Sequence, residues 1–135
     1  EGDYAAHYLK IVGAAKDQPI FAHVNWFQRD PDDGHFLWHG YRDNLRPLLW
    51  LLQLKNGEVK GRQTPVGIIP TADELNLEGM STKPEDLETI LSIDVARWRQ
   101  EMGHREEHLK QFDNMPEEIW EAHRRVAAAL DEAEG

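Results

Sequence analysis

Residues 26–44 read WFQRDPDDGHFLWHGYRDN, a charged, turn-like stretch that carries Trp26, Phe27, Phe36, Trp38 and Tyr41 and closes on Asn44. Asp30, Pro31, Asp32, Asp33 and Gly34 are turn formers, whereas aromatic side chains usually pack into helix or strand faces. Two readings of the residues stay open. The rings could form a small aromatic core under a hairpin, with Asn44 capping the next helix. Alternatively they could flank a slot for a planar base, since stacking a base on an aromatic ring is worth about 1–3 kcal/mol and an asparagine amide can donate and accept at a base edge.

Upstream, Ile20–Phe27 alternates as a strand, with Ile20, Ala22, Val24 and Trp26 on one face and Phe21, His23, Asn25 and Phe27 on the other. Bulk on both faces predicts a strand covered on both sides, and Phe36–Trp38 is expected to pair briefly as a second. Downstream, NLRPLLWLLQL (44–54) is apolar nearly all round, which predicts a buried helix with Asn44 as N-cap and Pro47 within the tolerated first turn. Asn56-Gly57 marks its end, and TPVGIIP (64–70) reads as a short strand closed by Pro70. Near the start, Tyr4, Tyr8 and Ile11 have the spacing of a short helix ending near Gly13.

Beyond Thr71 the pattern is of acidic helices. Thr82, Pro84 and Glu85 precede Leu87, Ile90 and Leu91; Asp94 opens a helix carrying Val95, Trp98, Met102, Leu109 and Phe112 mostly on one face. Pro116 with Glu117 and Glu118 opens a third, whose stripe is Ile119, Trp120, His123, Val126, Ala127 and Leu130, with a fraying tail DEAEG (131–135).

The 135 residues suit one domain. Its charge is unevenly placed: residues 1–72 carry 8 basic and 8 acidic side chains, and residues 73–135 carry 7 and 17. Without a basic stripe, polymeric nucleic acid is not an expected partner. No window approaches the roughly 18 apolar residues of a membrane span, so no membrane association is expected. Cysteine is absent, which removes disulfides and thiolate chemistry and fits a cytoplasmic location. The opening GDYAAHYLK follows neither an initiator Met nor a signal segment, and the chain is expected to be a piece of a longer polypeptide.

Motifs for chemistry are few. His104 and His108 in HREEH match the inverted zincin pattern, but such short patterns match readily by chance and a solvated helix face is expected. DPDDG hints at a calcium loop, yet its twelfth position is Tyr41 where a bidentate Glu is needed, so it reads as a turn. Neither GxxxxGK[ST] nor GxSxG occurs. No catalytic residue and no metal ligand is therefore assigned to the chain.

VNWF (24–27), the spaced FLW-G-Y--N (36–44), the following helix with Trp50, and TPVGIIPTADELNLEGM (64–80) together resemble the C-terminal portion of GTP-dependent phosphoenolpyruvate carboxykinases, over practically the whole chain. The resemblance implies an α/β fold, the C-terminal part of that family's nucleotide-binding domain, present here mostly as helices with a few short strands. Residues 1–72 would supply the guanine-nucleotide pocket and residues 73–135 an acidic helical part. It implies an enzyme that converts oxaloacetate and GTP into phosphoenolpyruvate, GDP and CO2 in gluconeogenesis, with Mn2+ and Mg2+ bound outside these residues. By the same resemblance Phe27, Phe36, Tyr41 in the third phenylalanine position, and Asn44 enclose and read guanine, with Trp38, His39 and Arg42 as pocket neighbours. The expected partners are the guanine nucleotide and the catalytic parts of the same polypeptide, in a monomer.

Within WHGYR, His39 stands where the family has Pro, Tyr41 where it has Phe, and Arg42 where it has Gly. A glycine at position 42 would suit positive φ, at a cost of order 1 kcal/mol to any other residue, so Arg42 is expected to reshape the pocket and to bear on guanine preference more than on nucleotide binding. The alternative is a non-catalytic nucleotide-binding or interaction module derived from the same scaffold.

Overall fold

The structure is a computed structural model that describes residues 1–133. It is mostly helical, running α1 (Gly2–Ala14), α2 (Leu45–Asn56), β1 (Arg62–Thr64), β2 (Gly67–Ile69), a 3-10 turn (Ala72–Glu74), α3 (Pro84–Leu91), α4 (Val95–Leu109) and α5 (Glu117–Glu132). Among the described residues the one sheet is the antiparallel pair β1–β2, so the α/β character expected is reduced to a hairpin among helices. The chain divides into two compact units, residues 1–19 with 93–135, and residues 20–92. The charge boundary at 72/73 lies inside the second of these.

In the first unit, α4 starts at Asp94, whose carboxylate accepts from the Arg97 N–H at 3.0 Å, and α5 starts after Pro116 with Glu117 and Glu118 facing the positive end of its dipole. Met102 and Leu109 of α4 and His123 and Leu130 of α5 are buried, along the stripes the sequence spacing predicts, but Trp98 of the α4 stripe is exposed and Phe112 lies beyond the end of that helix. His123 stands edge-on to Trp120, and burial, helped by nearby Arg105, lowers its pKa. Helix α5 continues through Glu132 instead of fraying at Asp131; Glu134 and Gly135 lie outside the described residues. The start of α1 packs closely on Asn114, where a Cβ on Gly2 would overlap it, and Asn114 donates to Asp3 at 2.9 Å.

The second unit departs further from expectation. Residues 20–25 form no strand, and Phe21 is 70% exposed: alternation makes a strand possible, but no neighbouring strand supplies the ladder hydrogen bonds. Helix α2 ends as expected at Gly57, in the left-handed region with φ 74°. It is not buried all round, however; Trp50 is its buried residue, while Leu45, Leu48, Leu49 and Leu52 are exposed. TPVGIIP is not one strand. Pro65 and Val66 make the turn of the hairpin, closed by the Thr64 hydroxyl donating to the Gly67 carbonyl at 2.7 Å, because Pro65 has no N–H for a ladder.

Glu74 joins these pieces. Its carboxylate accepts from the Trp50 indole at 3.1 Å, from the Lys60 and Gly61 N–H groups at 3.1 and 3.0 Å, and from the Thr71 N–H at 3.3 Å, the last completing a capping box. These donors, the Gly61 N–H foremost, hold the Glu74 pKa at about 2 against 4.5 for a free side chain. A depressed carboxyl contributes stability that is present above the unfolded value and lost as pH falls through the folded one. Glu74→Gln is expected to lower the melting temperature at pH 7, with the gap to the wild type narrowing between pH 4.5 and 2; melting curves across that range check it, and a pH-independent gap would remove the carboxylate from this role.

Candidate functional site

The Asp30–Gly34 turn is built locally. Asp30 Oδ1 accepts from the Asp32 and Asp33 N–H groups at 2.8 and 3.2 Å, an Asx arrangement, and Gly34 takes φ 78°. Across the turn, Asp30 N–H donates to the His35 carbonyl at 2.9 Å and Leu37 N–H to the Gln28 carbonyl at 3.0 Å, with Arg29 bridging to Phe36. The expected second strand is therefore one isolated bridge. Leu37 is fully buried and anchors the returning limb, while Phe36 faces outward.

This doubling back brings Phe27 and Phe36 edge to face, with centroids 6.4 Å apart. Together with Trp26, Trp38, His39 and Gly40 they line a cleft of about 350 Å³, within the size range of small-molecule sites. Arg29 covers one side of the Phe36 ring, its guanidinium 3.8 Å from the centroid, and donates to the Gly34 carbonyl at 2.7 Å. The Trp26 indole N–H is buried without a hydrogen-bond partner.

Of the residues expected to read a base, Phe27 (75% exposed) and Phe36 (45%) present ring surface at the cleft, with Trp38 and His39 beside them. Tyr41 is 97% exposed and does not line the cleft, and neither do Arg42 and Asn44. The strain expected at Arg42 is absent: among the described residues every positive φ belongs to glycine, and here it is Gly40, at 86°, that carries it. Asn44 occupies the N-cap position of α2, but with helical backbone angles and no capping hydrogen bond. Its side-chain oxygen instead accepts from the Trp38 indole at 3.1 Å. The turn before α2 is held by Asp43 N–H donating to the Gly40 carbonyl at 2.9 Å, and by Arg46, which pairs with buried Asp43 at 2.8 Å and donates to the Asn76 carbonyl and, at 2.9 Å, to the Glu78 carbonyl.

His35 sits between two carboxylates, Asp33 at 2.5 Å and buried Asp86 of α3 at 3.2 Å. Asp30, Asp33 and His35 bring three potential ligand atoms within 4.8 Å of one another. The set does not fit a divalent cation: the imidazole and carboxylate face each other at hydrogen-bond distance, and Asp30 Oδ1 serves the turn backbone. His104 and His108, the zincin-like pair, are exposed and turn to Glu101 at 3.7 Å and Glu1 at 3.1 Å. Arg29 and the buried donor of Trp26 are site features that spacing alone does not mark.

The profile of the phosphoenolpyruvate carboxykinase C-terminal P-loop domain matches residues 1–129, and the chain belongs to that family. It is similar to proteins named phosphoenolpyruvate carboxykinase [GTP] from Thermoplasma volcanium, 34% identical over 87% of this chain and 19% of the relative; from Chlamydia caviae, 36% over 86% and 20%; and from Treponema pallidum strain Nichols, 33% over 98% and 22%. The chain thus spans about a fifth of the length of these relatives.

The carboxylate pair, with Asp33 first, raises the His35 pKa above its usual 6.5. A raised imidazole contributes stability fully present below the unfolded pKa and lost as pH rises through the folded one. His35→Ala is expected to destabilise the protein at pH 6 and much less at pH 9, read as the difference in urea midpoint from the wild type; an equal difference at both pH values would leave the imidazolium clasp without support.

Proposed function

We propose that residues 26–44 hold the guanine base of GTP in a phosphoenolpyruvate carboxykinase, the cytoplasmic lyase that converts oxaloacetate and GTP into phosphoenolpyruvate, GDP and CO2. The observation that carries this reading is the cleft itself: rings of Phe27, Phe36 and Trp38 gathered on a polar turn, in a chain of that family. A base laid against Phe27 and Phe36 covers ring surface that is otherwise open to water. Tyr41, Asn44 and Arg42 stand on the turn that follows Gly40 and complete the contacts as the ligand enters, Asn44 at the base edge and Arg42 toward the nucleotide. Among the described residues no helix is long and apolar enough to cross a membrane.

Base binding is remote from the bond that breaks. Its contribution is to orient the nucleotide, so that binding energy gained here is used at the phosphoryl group. Mn2+ and Mg2+ would supply charge neutralisation at the phosphates; the Asp30, Asp33 and His35 set does not fit them, and on this reading groups outside these residues would hold them. The chemistry likewise belongs to parts of the polypeptide beyond this chain.

In the intact protein, Phe27→Ala is expected to weaken GTP binding by about 1–3 kcal/mol, the range for losing one stacking partner. GTP should also quench the emission of Trp26 and Trp38 more than ATP does. Unchanged nucleotide affinity with a loss of stability would make Phe27 a packing residue and remove this reading. For the 135-residue chain by itself no phosphoenolpyruvate formation is expected in a coupled assay, and measurable turnover would refute the division of labour.

A further inference from the structure

The turn that carries Phe36 is bonded almost wholly to itself. Among the described residues, the hydrogen bonds of residues 29–35 close within residues 28–37, with one exception: Nε2 of His35 lies 3.2 Å from Asp86 Oδ1. Asp86 is a buried carboxylate in the first turn of α3, and α3 is tied in turn to β1, where Arg62 donates to the Leu91 carbonyl at 2.5 Å. The residue after His35 is Phe36, whose ring lines the cleft. Beside the packing of buried Leu37, His35 is thus the point at which this wall of the cleft is fastened to the frame of the second unit.

The fastening depends on a proton. Both ring nitrogens face carboxylates, Nδ1 toward Asp33 at 2.5 Å and Nε2 toward Asp86, and a carboxylate only accepts, so both bonds exist together only for the imidazolium, which donates from each nitrogen. Asp33 is held in its charged form first by the His35 N–H groups and in smaller part by Lys83, which precedes α3; Asp30 is the remaining charge in the cluster. A neutral imidazole has one N–H. Kept on Nδ1 for the closer Asp33, it leaves a lone pair on Nε2 facing Asp86, acceptor against acceptor, and the bond to α3 is lost.

We propose that His35 is a positioning residue whose imidazolium ties the Phe36 wall of the cleft to α3, so that protonation of His35 and binding of the nucleotide favour each other. This rests on the base-binding reading above. With the tie made, Phe36 is already in place for the base; with it open, part of the stacking energy goes into ordering the turn. The raised pKa of His35 sets the direction: the tie is complete below the ordinary imidazole range and is lost as pH rises through the folded value. The coupling is reciprocal, so the nucleotide raises the proton affinity of His35 by the same factor.

The test is the GTP affinity of the intact protein from pH 6 to pH 9, for the wild type, His35→Gln, Asp86→Asn and Phe27→Ala. Titration of the nucleotide itself enters every variant alike and cancels in their ratios. Because glutamine has no proton to lose, the affinity of the wild type relative to His35→Gln is expected to fall roughly 2- to 10-fold across the range, the worth of one hydrogen bond. Asp86→Asn supplies an –NH2 that donates to Nε2 of the neutral ring, and it is expected to keep its affinity at pH 9. In the wild type, GTP should move the titration midpoint of the His35 ring protons upward in NMR spectra, a shift that a merely structural histidine does not show. If Phe27→Ala weakens binding while the ratio of wild type to His35→Gln is the same at pH 6 and pH 9, the base pocket stands and the positioning role of His35 is overturned; that comparison does not need the fold to accept a change at buried Asp86. If Phe27→Ala leaves GTP affinity unchanged, the base pocket fails and the role of His35 fails with it.

Discussion

One carboxylate gathers the second unit. Glu74 takes four donors onto its two oxygens, from α2, from the strand entry at Lys60 and Gly61, and from its own 3-10 turn. Its position dictates the residue at 61: Gly61 has φ 65°, and a Cβ there would come within 2.5 Å of Ile68 Cγ2, 2.8 Å of the Ile69 carbonyl and 3.0 Å of the Trp50 ring. Only glycine combines that turn with that approach. With Trp50 held at its middle, α2 presents its first turn to Asn76 and Glu78 through Arg46, and the same arginine clamps Asp43 and hence the turn at Gly40. The cleft wall therefore depends, through α2, on a side chain that touches no part of it.

Where structure is local, the sequence states it. The Asp94 cap, Pro116 followed by two glutamates, the left-handed stop at Gly57 and the DPDDG turn all depend on residues within a few positions of one another, and each forms where the spacing predicts. Residues 20–25 show the limit: alternation sets out the side chains of a strand but does not supply its hydrogen-bonding neighbour. The leucines of α2 show another, since an apolar residue is not thereby a buried one. Glu74 falls between the two cases. Thr71 and Glu74 have the spacing of a capping box, a signal present in the residues, but the donors from Trp50, Lys60 and Gly61 come from 13 to 24 positions away and no pattern announces them.

The site divides in the same way. Phe27 and Phe36 meet because a tight turn returns the chain on itself, and the turn is readable; the assignment of rings and amide to a base came from family resemblance, since the residues by themselves favour a closed aromatic core. Asn44 is the instructive case. Its place before an apolar run predicts a helix cap, and the structure puts it at that position with its side chain committed instead to Trp38, six residues back. A contact at that spacing requires the Gly40–Asp43 turn, whose geometry depends on a positive φ at Gly40 and on Arg46 reaching to Asn76.

Charge around the cleft constrains what the site can do by itself. Arg29, beside its rings, is already engaged, over the Phe36 face and on the Gly34 carbonyl, so it serves the turn. The remaining wall is aromatic save for His39 and Gly40. Base recognition as proposed above, built from stacking and from hydrogen bonding at a base edge, would have two properties. It discriminates between bases, because an unpaired donor costs more than a made hydrogen bond gains, and it yields modest affinity, because each stacked ring contributes only about 1–3 kcal/mol. A nucleotide carrying several negative charges is held tightly only where other groups meet its phosphates, so on the proposed reading this cleft chooses the base of a ligand whose phosphates are bound elsewhere.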